Sequence, residues 1–131
     1  MLPLRDDIPS QRFPALTLVL VVANVAVFLF EVVQGPEIER FLYAWGFVPA
    51  RPEAVHTWLT SQFMHDGLFH LLGNFWALWI FGDNVAARMG VWYLPFYLAG
   101  GVAANAVHLA LNPSSSVPCI GASGAICAVI G

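Results

Sequence analysis

The charged residues of this chain fall almost wholly outside three long apolar stretches, and a fourth apolar segment begins near its end. Residues 14–33, PALTLVLVVANVAVFLFEVV, form a twenty-residue run. At about 1.5 Å of rise per residue, a helix of that length crosses about 30 Å of hydrocarbon. Asn24 near its middle is expected to make an interhelical hydrogen bond, and Glu31 near its end is expected to reach the interface. Residues 34–56 mix the breakers Gly35, Pro36, Pro49 and Pro52 with charges and with Phe41, Tyr43, Trp45 and Phe47. That mixture predicts a long ordered loop lying on or in one leaflet at the headgroup level.

From Thr57 the chain turns apolar again, but its uncharged part, Leu68 to Gly82, is only fifteen residues, short for a span of about 20. Either the approach TWLTSQFMHDG adds helical turns, or the helix starts below the membrane surface in a protein-lined cavity. Asp83, Asn84 and Arg88 mark a short polar connection. Residues 91–111 supply a third span, rich in Ala and Gly, whose small side chains let backbones approach. The segment 112–118 reads as a turn, and the fourth apolar segment starts near Ile120. Four alternating segments place the polar tail of residues 1–13 and Arg88 on one side. Arginine counts of three to two make that side cytoplasmic, so the expected location is the cytoplasmic membrane with the N-terminus inside.

Composition agrees with lipid as the solvent: 59% of the 131 residues are hydrophobic and 10% charged, where a soluble chain keeps about a quarter charged. The net charge of -3, with five arginines and no lysine, offers no basic stripe and excludes nucleic acid as a partner. Cys119 and Cys127 are too few for a disulfide scaffold and read as small apolar side chains. No metal or cofactor is expected. The charged start, Arg5 to Arg12, and the length of the following run do not fit a cleavable signal peptide.

Three residues carry chemistry. His70 and Asn74, four apart on one helix face, bury two polar groups in an apolar segment and must face protein or trapped water. Gly73 between them leaves room for another helix. Rigid imidazole and amide donors in a dry place suit a developing oxyanion, although such a pair also ties helices together. Ser123, in Gly121-Ala122-Ser123-Gly124, sits at a helix start, where free backbone N–H groups and the positive end of the dipole face its hydroxyl. His65 rotates to another face at the wetter start of the segment.

Taken together, HDGLFHLLGN at 65–74, GDN at 82–84, Arg88 with Gly90, and GASG at 121–124 resemble the rhomboid family of intramembrane serine proteases. The resemblance implies an all-α, polytopic membrane helix bundle over residues 14–131, incomplete at about four of six or more transmembrane helices. It implies Ser123 as nucleophile and His70 with Asn74 as oxyanion-stabilising residues. The general base it implies is a histidine on a sixth helix, beyond residue 131, so the 131-residue chain alone is expected to be inactive. Expected partners are transmembrane protein substrates and the lipid bilayer. Where many members carry Trp-Arg in the first loop this chain has Trp45-Gly46, and Ala86 stands where they carry a glutamate. The competing readings are a rhomboid-like pseudoprotease that binds membrane helices without cutting them, and a four-helix transport or scaffold protein.

Overall fold

The computed structural model describes residues 15–130. The polar tail assigned to residues 1–13 lies outside the described residues. The first apolar run is helix α1, Ala15–Val33. It buries Thr17, Leu20, Val21, Asn24 and Glu31, whose spacing of three, four and seven residues defines one helical face. Val19, Val22, Leu29 and Phe30 on the other faces are more than half exposed, a surface suited to hydrocarbon rather than to water.

The loop expected over residues 34–56 contains a helix. After a single 3₁₀ turn at Gly35–Glu37, α2 covers Ile38–Trp45. Ile38, Phe41, Leu42 and Trp45 recur at i, i+3, i+4 and i+7, which gives α2 an apolar stripe that the flanking Gly and Pro had masked. Phe41 meets Phe30 of α1 with ring centroids 5.5 Å apart. The chain then runs buried through Phe47, Val48 and Pro49 to the short helix α3, Thr57–Thr60, and a 3₁₀ turn, Ser61–Phe63.

Of the two ways open to the second span, the approach segment adds no turns to its helix, and the span gains its length beyond Gly82. Extended backbone at Met64 and Gly67 separates it from the approach segment. Helix α4, Leu68–Ala77, passes through a π-helical turn, Leu78–Gly82, directly into α5, Asp83–Met89. These pieces of 10, 5 and 7 residues follow without a break, about 33 Å at about 1.5 Å per residue. Asp83, Asn84 and Arg88, expected in a connection, are therefore helical. Gly82 keeps helical backbone, and Gly90, with φ of 57°, ends the helix.

After a 3₁₀ turn at Gly90–Trp92, α6 covers Tyr93–Leu111. Asn105, late in α6, bonds Ser61 just ahead of α4, so α6 runs back toward the end where α4 begins. The final helix, α7, is Ser123–Ile130, starting three residues later than the apolar pattern does. Helices α6 and α7 touch through small residues. A Cβ on Gly100 would stand 2.5 Å from the Ala128 Cβ, and one on Gly124 would collide with Ala104. Gly73, expected to admit a neighbouring helix, faces open space instead. The core joins Leu20 and Val21 of α1, Leu78, Tyr97 of α6, and Ala125 and Ile126 of α7. Among the described residues the architecture is all-helical, with one isolated antiparallel bridge, Phe47 to Cys119. Ala15–Val33 and the helical stretch Leu68–Leu111 are long and apolar enough to cross a membrane.

Candidate active site

The start of α7 is fixed by backbone that reaches it from two directions. Phe47 and Cys119 exchange both backbone hydrogen bonds, at 3.1 and 2.6 Å, and the Gly121 N–H donates to the Ser61 carbonyl at 2.9 Å. Two glycines make this possible. A side chain on Gly46 would meet the Leu42 carbonyl at 2.5 Å and Pro118 and Ile120 at 3.0 Å. Gly121 has φ of 119°, a conformation open to glycine. Ser61 is itself held by Asn105, whose amide donates to its hydroxyl at 3.1 Å and to the Trp58 carbonyl at 3.2 Å. The Gln62 amide donates to Trp58 and Leu98 carbonyls.

Ser123 is the first residue of α7, so its N–H belongs to the set that an α-helix leaves unbonded. Ser123 is exposed. A Cβ built on Gly121 would lie 2.7 Å from His70 Cε1, 2.9 Å from His70 Nε2 and 3.7 Å from Ser123 Oγ. The ring edge and the hydroxyl converge on one point, so the two atoms are no further apart than the sum of their distances to it. Any side chain at 121 would occupy the space they share.

The far ring nitrogen of His70, Nδ1, donates to Asp66 Oδ1 at 2.7 Å, one turn earlier. His65 packs edge-on against His70 with centroids 5.1 Å apart. Contrary to its expected place at the wet start of the segment, His65 is 3% exposed. Burial, and secondly the charge of His70, lower its pKa from 6.5 to about 4. The Phe63 carbonyl and Asp66 pull the other way, but neither ring nitrogen completes a hydrogen bond among the described residues. The imidazole is therefore neutral at ordinary pH.

Asn74 lies one turn past His70 and lines, with His65, Leu71, Ala122 and Ile126, a cavity of about 10 Å³ for the centre of a water-sized sphere. That space suits a single water. The Asn74 amide nitrogen is buried and has no hydrogen-bond partner among the described residues. It sits beside Ala122, the residue before Ser123. Of the residues singled out from the sequence, His70 and Ser123 thus both approach Gly121, and Asn74 lies one turn past His70 on α4.

One neighbour was misplaced by sequence reasoning. Glu31, expected at the interface, is 3% exposed, and its carboxylate accepts the His65 backbone N–H at 3.2 and 3.3 Å. It fastens α1 to the turn that precedes α4, and no local pattern signals this, since the two residues are 34 apart. Asn24, expected to bond another helix, donates to Leu20 of its own helix at 2.7 Å and also faces the Tyr97 hydroxyl of α6. Asp66 carried a readable signal, lying four residues before His70, but it had not been paired with it. His56 is engaged elsewhere, on the Ala44 carbonyl at 2.9 Å. Cys119 and Cys127 are free thiols, and burial pushes the Cys119 thiol up.

A family model described as the Rhomboid domain matches residues 52–131. RHOMBOID-like protein 12, mitochondrial, of Arabidopsis thaliana is 28% identical over 128 residues, covering 85% of this chain and 38% of the relative. Presenilin-associated rhomboid-like protein, mitochondrial, of Homo sapiens is 31% identical over 115 residues, covering 85% of this chain and 30% of the relative. Rhomboid-like protein 16, chloroplastic, of Arabidopsis thaliana is 32% identical over 104 residues, covering 75% and 31%. The chain thus spans about a third of the length of these curated relatives. No solved structure matches it.

Proposed function

The chain belongs to the rhomboid family, and on that premise we propose that the full-length protein is an intramembrane serine endopeptidase that cuts transmembrane segments of membrane-protein substrates. The observation that carries this reading is the approach of Ser123 Oγ and the His70 ring edge to Gly121, with the unengaged Asn74 amide one turn past His70 on α4. The family and the apolar helices make it an integral membrane protein. We further assign it several membrane crossings, with the N-terminal side cytoplasmic.

In this mechanism Ser123 Oγ attacks the scissile carbonyl carbon while its proton passes to a general-base histidine, which the family places on a later helix. The carbonyl oxygen becomes an oxyanion. The Ser123 backbone N–H, the Asn74 amide and the His70 ring surround the place where that charge forms, and the positive end of α7 adds to their field. The C–N bond then breaks as the histidine returns the proton to the amine. Water, deprotonated by the same histidine, hydrolyses the acyl-Ser123 ester. The scissile peptide must leave its own helical hydrogen bonds first, so substrates with helix-breaking residues near the cut are favoured.

A fluorophosphonate probe on the protein expressed from its complete reading frame tests the proposal. Labelling at Ser123 that disappears in Ser123→Ala, together with cleavage of a transmembrane reporter, is the expected result. A complete protein that binds membrane helices but neither labels nor cleaves would instead be a pseudoprotease.

A further inference from the structure

If His70 is an oxyanion donor, its hydrogen bond to Asp66 creates a constraint on protons. A neutral imidazole carries one N–H. The 2.7 Å contact between Nδ1 and the Asp66 carboxylate requires that hydrogen on Nδ1, because a carboxylate can only accept. Nε2, the nitrogen turned toward Gly121 and Ser123, is then bare, and its lone pair would repel an oxyanion. The ring can serve the reaction in this orientation only with both nitrogens protonated.

We propose that Asp66 is a positioning residue that holds His70 by Nδ1 and makes it work as a doubly protonated imidazolium, offering a charged Nε2–H donor to the tetrahedral oxyanion. This rests on the protease reading above. A charged donor forms a hydrogen bond roughly twice as strong as a neutral one. Asp66 supplies its counter-charge from the water-facing side, where its side chain is 71% exposed and the histidine's is 30%. The other titratable groups facing this ring do not compete for the role. His65 is held neutral by burial, and Glu31 lies behind it, accepting the His65 backbone N–H. On the α7 side the ring meets Gly121, which carries no titratable side chain.

Because Asp66 is so exposed, its ion pair contributes little to folding, and its substitutions leave a folded protein. The test uses the full-length protein in detergent or bilayer, with ¹⁵N-labelled histidine and a peptidyl boronate bound to Ser123 as oxyanion mimic. The wild type shows both His70 nitrogens protonated in the adduct. Asp66→Asn keeps the side-chain shape, removes the charge and gives a neutral ring; kcat falls about ten- to a hundredfold while KM stays within about twofold. Asp66→Glu, which still reaches across one turn, restores most of kcat.

Wild-type kcat in Asp66→Asn and Asp66→Ala, or a neutral Nε2–H ring in the wild-type adduct, overturns the assignment while leaving the protease reading intact. Failure of Ser123 itself to take fluorophosphonate or boronate sinks both.

Discussion

Two groups of buried polar side chains flank the start of α7, and they differ in how far their hydrogen bonds are made, with Gln62 Oε1 the one atom of the first group left without a partner among the described residues. On the α6 side, Ser61 and Asn105 bond to each other, and Asn105 and Gln62 both donate to the Trp58 carbonyl. On the α4 side, the His65 ring nitrogens and the Asn74 amide nitrogen have no partner among the described residues, although they are equally hidden. An unmet polar group in a dry interior costs about 1–3 kcal/mol, which a bound water or a reacting atom would recover. The first group holds Gly121 in place.

The contrast breaks most visibly at the nucleophile. Ser123→Ala in the full-length protein should lower cleavage by at least about a thousandfold, with thermal stability close to wild type, because the hydroxyl has no bonded partner to lose. Reporter cleavage alongside a Tm measurement checks both halves. Asn74→Ala should behave similarly, with kcat down about a hundred- to a thousandfold and little change in Tm. A collapse of Tm instead would move Asn74 into the structural group.

Gly121→Ala straddles the two groups. The methyl would press on the His70 ring at 2.7 Å and force an unfavourable φ, a strain of about 1–3 kcal/mol, so activity and Tm should fall together. On the α6 side, Asn105→Leu should reverse the pattern of Asn74→Ala. It orphans Ser61 and should destabilise the protein by about 1–3 kcal/mol, measured by unfolding in mixed micelles, while activity at low temperature drops far less.

The smallest effect tests whether His65 belongs among the unpaired groups. Its folded pKa is about 4 against 6.5 unfolded, so the unfolded chain binds the extra proton between those values. The stability advantage of wild type over His65→Phe should be constant above about pH 6.5 and shrink as pH falls toward about 4. A histidine resonance titrating at about 4 would confirm the assignment, and one titrating near 6.5 would refute it.

The sequence by itself determined the first and third helices, the serine at a helix start and the His70–Asn74 face, because each is a local pattern: a run of apolar residues, a Gly-flanked hydroxyl, a spacing of four. It also displayed the stripe of α2, hidden by the breakers around it. The far end of the second span was misjudged because Asp83 and Arg88 read as a connection, whereas a helix continues until a residue such as Gly90 stops its hydrogen bonding. What only the tertiary structure decided is which polar residues share a space. Glu31 meets His65, Asn105 meets Ser61 and His70 meets Gly121 across separations of tens of residues, and such partners are chosen by how helices pack. Burial then set the chemistry, since a histidine's charge depends on the water it loses, and no stretch of sequence around His65 records that loss.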